Sequence, residues 1–191
     1  MKSKTISLDK LSSRDPRIKY GFAKELLKIG AHNPELLYNN LDYWIKMTGS
    51  DNNILKWTAI DIIGYLSAAD KDNKTDKLVN NLLLFLHEGH LITCNHAIFA
   101  LSLFAKNKPE LRHSIINELI SISKDQFDTE ECKNIAIGKV LEALKNFLDD
   151  TRNHKEAVAF VEQAKNNTRN ATRKKAETLF KRISALKSQK N

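Results

Sequence analysis

Glycine and proline are scarce in this 191-residue chain, at six and three residues. That scarcity excludes an all-β fold, which needs a turn every few residues. Cysteine is nearly missing: only Cys94 and Cys132 occur. No apolar run approaches the roughly 18 residues that cross a bilayer, so no membrane span is expected. The first residues, Met1-Lys2-Ser3-Lys4-Thr5-Ile6-Ser7-Leu8-Asp9, carry charge with no apolar run behind it, unlike a secretory signal. The cytoplasm is therefore the expected compartment, with both thiols reduced. Also missing are a phosphate-cradling glycine loop, an HExxH motif and a Ser–His–Asp order.

What the chain has is a repeat. Five segments carry an apolar stripe centred on an alanine, at Ala23, Ala59, Ala97, Ala136 and Ala176, at intervals of 36, 38, 39 and 40 residues. A period in this range predicts an all-α solenoid of stacked helix pairs, because one pair cannot bury its apolar face alone.

The helical period places first helices at about 16–30, 53–69, 91–106 and 130–148, partner helices at about 34–48, 74–88, 109–124 and 153–166, and a last helix at about 170–187. Pro16 after Asp15 and Pro34 after Asn33 read as capped helix starts, and Pro109 as a first-turn residue. Gly30, Gly49 and Gly89 follow apolar runs, where left-handed C-caps are expected. Gly64 and Gly138 fall inside helices, which predicts close helix approach. The polar connection 69–74 reads as the most mobile one. The expected architecture is a single repeat domain over 15–187, with units at about 15–50, 51–90, 91–127 and 128–167, a capping helix at 168–187, and flexible tails at 1–14 and 188–191.

The run Asp51-Asn52-Asn53-Ile54-Leu55-Lys56-Trp57-Thr58-Ala59-Ile60-Asp61-Ile62-Ile63-Gly64-Tyr65-Leu66 resembles the first helix of a HEAT repeat, an armadillo-type motif. The basic position three before the alanine is Lys56, Lys133 and Arg173 in three units, and Tyr20 and Cys94 in the other two. The resemblance covers nearly the whole chain. It implies a right-handed α-α superhelix of about four and a half helix pairs, with first helices outside and second helices lining a concave face. It also implies a non-enzymatic scaffold that binds another protein, by analogy of fold.

Charge is unevenly spread. Residues 152–191 hold eleven Lys or Arg against Glu156, Glu162 and Glu177, while residues 1–151 balance at 20 of each sign. In the last helix Ala176, Leu179, Phe180 and Ile183 form the expected buried stripe, with Lys174, Lys175, Lys181 and Arg182 opposite. With Arg169 and Arg173 these make a candidate surface for nucleic acid or an acidic protein segment. The inner helices offer a second, nearly neutral strip: Asn39, Asp42, Tyr43 and Lys46; Asn80, Asn81 and Leu84; Asn117, Glu118 and Ser121; Glu162 and Gln163. Such a lining suits a protein segment better than a duplex backbone.

No catalytic, cofactor or metal site is expected. His87, His90, Cys94 and His96 are zinc-ligand types, but their spacing crosses a helix end, a glycine turn and a new helix. HEAT-like alkylpurine DNA glycosylases pair a carboxylate with aromatics in a basic groove. Asp42-Tyr43-Trp44 and Trp57 with Asp61 supply those residue types, yet the strip lacks a basic lining and both tryptophans fit apolar stripes.

Overall fold

The computed structural model describes residues 6–188; the outer parts of the expected tails, 1–5 and 189–191, lie outside the described residues. Eleven α-helices and no strand occur among the described residues: α1 (Pro16–His32), α2 (Glu35–Tyr38), α3 (Leu41–Met47), α4 (Asn53–Leu66), α5 (Val79–His87), α6 (Leu91–Asn107), α7 (Pro109–Ser121), α8 (Glu130–Leu144), α9 (Leu148–Asn153), α10 (Lys155–Ala164) and α11 (Asn170–Ser188). All five repeat alanines are buried, none more than 2% exposed.

Helix starts follow local chemistry. The Asp15 carboxylate accepts from the Arg17 N–H at 2.8 Å, Asn52 Oδ1 from Leu55 N–H at 3.2 Å, and Thr129 Oγ1 from Cys132 N–H at 3.1 Å. Each satisfies a backbone donor that a helix start leaves open. Pro16 and Pro109 occupy first-turn positions, where the missing N–H costs nothing.

Several sequence expectations are corrected. The helix expected at 34–48 is broken into α2 and α3 at two successive asparagines, Asn39 and Asn40, a residue type of low helix propensity. Asn33 ends α1 rather than capping the next helix: its N–H donates to Ile29 O at 2.7 Å. Gly30 lies within α1, and among the described glycines only Gly89, at φ +83°, is left-handed. Gly30 serves close approach instead, since a Cβ there would meet Tyr65 Cδ2 at 2.9 Å. The helix expected to start at 74 begins with a 3-10 turn, Asp76–Leu78. The one expected at 130–148 stops at Leu144, and a 3-10 turn leads into the unforeseen α9.

The chain forms two compact units, dividing between Asn80 and Asn81. In the first, α4 packs against α1, α2 and α3, and a 3-10 turn at Asp9–Ser12 lays Leu11 against α1. Ala23, Leu26, Leu37, Trp44, Ile62 and Leu66 are buried there; complete burial of one such large side chain stabilises by about 1.5–3 kcal/mol. The connection 69–74, expected to be mobile, is anchored. Asp70, only 7% exposed, accepts from the Tyr38 hydroxyl, from Lys74 N–H at 2.9 Å, and from Thr75 N–H and Oγ1–H at 2.8 and 2.6 Å. Burial pushes the Tyr38 hydroxyl pKa upward, with the Asp70 hydrogen bond and charge adding to it.

In the second unit α6 packs against α7 and α8, α8 against α7 and α11, α7 against α10, and α10 against α9 and α11. Long helices therefore lie beside long helices, and their partners beside partners. Gly138 lets α8 and α11 approach, because a Cβ on it would lie 2.8 Å from Thr172 Oγ1.

Candidate binding surfaces

The six candidate basic residues, Arg169, Arg173, Lys174, Lys175, Lys181 and Arg182, divide into two groups. Arg169 Nε pairs with Glu131 Oε1 at 2.7 Å, and Lys175 Nζ with Glu142 Oε1 at 2.7 Å. Arg173 donates to Asn167 O at 3.2 Å and to Asn170 Oδ1 at 3.1 Å. These three hold α11 in place or bond within its own start. Lys175 therefore does not stand opposite the buried stripe, as the helical wheel implied: it lies on the edge facing α8. Lys174, Lys181 and Arg182 are exposed. The stripe itself comprises Thr172, Ala176, Leu179 and Ile183. Phe180, expected within it, is half-buried under the Lys165 ammonium, 4.0 Å from the ring centroid. At the far end Arg152 donates to Leu186 O at 3.1 Å, so α11 is fastened at both ends.

Burial pushes the Glu142 carboxyl up, but the hydrogen bond and charge of Lys175, with the charge of Lys139, outweigh it and hold the carboxyl below its usual range. A carboxyl depressed in the folded state contributes stability above its unfolded pKa, near 4.3, and loses it as pH falls through the folded value. In urea unfolding across the acid range, Glu142→Gln is expected to be less stable than the parent at pH 6, with the gap closing below about pH 4. A gap that stays constant with pH would contradict the pairing.

The amide-rich strip falls in both units. In the first, Asn39, Asp42, Lys46 and Asn80 are exposed and Tyr43 is half-buried, its ring edge-on to buried Trp44 with centroids 5.1 Å apart. Trp57 and Asp61 are half-buried on α4. In the second unit Asn81 and Asn117 are exposed, Ser121 is half-buried, and Leu84 is 71% exposed, the most exposed large apolar side chain among the described residues. Glu118 is engaged: His87 Nε2 lies 3.3 Å from its Oε2, and His87 Nδ1 lies 2.6 Å from Asp125 Oδ2. The imidazole thus ties α5 to α7 and to the turn beyond it. Among the described residues no group of three or more His, Cys, Asp or Glu is placed to hold a metal ion. Cys94 is buried, and burial, followed by the nearby charges of Asp125 and Glu88, pushes its thiol up to about 12. It is therefore a packed thiol rather than a nucleophilic thiolate at neutral pH.

One feature escaped the sequence. A cavity of about 360 Å³ lies between α8, the end of α10 and the following turn, lined by Glu130, Lys133, Asn134, Ile137, Phe160 and Gln163 among others. A second cavity of about 250 Å³ adjoins it, sharing Glu130 and Lys133. The signal available beforehand was the three-residue spacing of Glu130 and Lys133, which puts both on one helical face.

No helix among the described residues is long and apolar enough to cross a membrane. Comparison of the chain with protein-family models and with curated protein sequences returns no match.

Proposed function

We propose that this chain is a HEAT-like α-solenoid that works as a non-enzymatic scaffold, binding another protein in the cytoplasm. The observation that carries the reading is a lateral register within residues 81–188. His87 joins Asp125, Arg112 joins Asp150, Glu131 joins Arg169, and the Thr172 hydroxyl joins Asn134 O, every pair 38 positions apart. Links at one repeat length between neighbouring helix pairs are what a solenoid requires, and the alanine spacing extends the same period back to Ala23. Helices fixed this way present a surface without ordering it first, so binding costs little conformational entropy. The surface favoured is the face of α5 and α7 around Leu84, Asn81, Asn117 and Ser121, where an exposed leucine stands among amides.

A second reading has its own observation. Lys174, Lys181 and Arg182 are exposed and make no ion pair among the described residues, so they are open to a polyanion. Three phosphate contacts would give weak, steeply salt-dependent binding.

The two readings separate in one experiment. The tagged full chain captures partners from native cell extract, with and without nuclease, alongside Leu84→Asp and the triple variant Lys174→Glu, Lys181→Glu, Arg182→Glu. The scaffold reading expects nuclease-resistant partners that Leu84→Asp loses and the triple variant keeps. Partners lost to nuclease and to the triple variant would overturn it in favour of the polyanion reading.

A further inference from the structure

We propose that the 360 Å³ cavity of the second unit is a binding site for a free amino acid with an apolar side chain, held as its zwitterion. The volume lies in the range of small-molecule pockets. Part of its lining is apolar: Ile137, Phe160 and Ala164 contribute hydrocarbon atoms that a ligand side chain can meet.

The rim carries one charge of each sign. Glu130 and Lys133 both line the cavity, and neither forms an ion pair among the described residues. The other carboxylates of α8 behave differently: Glu131 is taken by Arg169, and Glu142 by Lys175 and Lys139. The Lys133 side chain is half-buried along the cavity, and its ammonium has no carboxylate partner among the described residues. A ligand carboxylate supplies that partner, and a ligand ammonium answers Glu130. A ligand with a single charge would pair with one of these groups and leave the other without a counter-charge. Asp125, the other carboxylate near this rim, lines only the adjoining cavity and is already held by His87.

The back wall is fixed in advance. Asn134 Nδ2 donates to Thr168 Oγ1 at 3.0 Å, Asn167 Nδ2 to Asn134 Oδ1 at 2.6 Å, and Asn167 Oδ1 accepts from Arg169 N–H at 2.9 Å. Wall groups locked by one another lose little freedom when a ligand enters. The exposed Gln163 and Asn166 amides complete the rim. The site stands independently of the scaffold reading, since neither its apolar lining nor its charges belong to the α5–α7 face.

Three probes test it by amide-resolved NMR titration of the full chain: leucine, N-acetyl-leucine, which lacks the ammonium, and leucinamide, which lacks the carboxylate. Leucine is expected to shift resonances at 123, 130–137 and 160–168, and to bind roughly fivefold or more tighter than either analogue. Lys133→Gln is expected to abolish the preference over leucinamide, and Glu130→Gln the preference over N-acetyl-leucine. Both side chains reach the surface, and unchanged resonances elsewhere report an intact fold. No localised shift with leucine at about 20 mM, equal affinity for all three probes, or preferences that survive both substitutions would overturn the proposal.

Discussion

Replacement of Asp70 by alanine is expected to lower the stability of the first unit by about 3 kcal/mol, the cost of removing a buried charged acceptor and stranding its donors. The carboxylate is 7% exposed and accepts four hydrogen bonds, two from backbone N–H groups and two from hydroxyls. In the alanine variant the Thr75 N–H and hydroxyl, both fully buried, lose their acceptor, and the Tyr38 hydroxyl no longer ties α2 to the connection. The substitution Asp70→Asn would fare little better, because an amide there turns a donor toward donors. Both tryptophans, Trp44 and Trp57, belong to this unit, so their fluorescence during urea unfolding reports it selectively. The midpoint is expected to fall by about 2 M. A fall of a few tenths would mean that the connection holds without its anchor.

Gly138→Val is expected to destabilise the second unit by about 2–3 kcal/mol and to loosen α11 in particular. Two effects oppose each other at this position. Glycine costs a helix interior about 1 kcal/mol relative to alanine, so any side chain brings a propensity gain. Against that, a Cβ would sit 2.8 Å from Thr172 Oγ1, the atom that donates to Asn134 O at 2.7 Å. Separating the helices breaks that bond and strains the Lys175–Glu142 pair beside it. For alanine the two effects nearly cancel; the branches of valine add clashes with no further propensity gain, so overpacking wins. Hydrogen exchange is the direct measurement: amides at 172–183 should lose at least about tenfold protection relative to those of α6. Equal protection in both helices would refute the close approach.

Much of this architecture is legible in the residues, for a physical reason. Helical period and capping are local, so α1, α6, α7 and α11 begin where proline, cap residues and apolar spacing put them. What escapes is decided by neighbours distant in the chain. The α9 insertion, packed on α10 and α11, and the placement of Gly30 against Tyr65 depend on packing between elements. Nothing local in the sequence distinguishes Asp70 from its polar loop neighbours; its partners Tyr38 and Thr75 are brought to it by the fold. The basic face was half legible: composition flags eleven cations after residue 151, but not that Arg169, Arg173 and Lys175 are bonded within the protein. The cavity was the least legible feature, because its walls come from α8, α10 and a turn some 30 residues apart.

The lateral links described above reach across 38 positions or fewer. Each of these links closes a loop of modest length, so the ordering entropy it costs is small. The contacts that hold Asp70, all within residues 38–75, can therefore form while the second unit is still being synthesised.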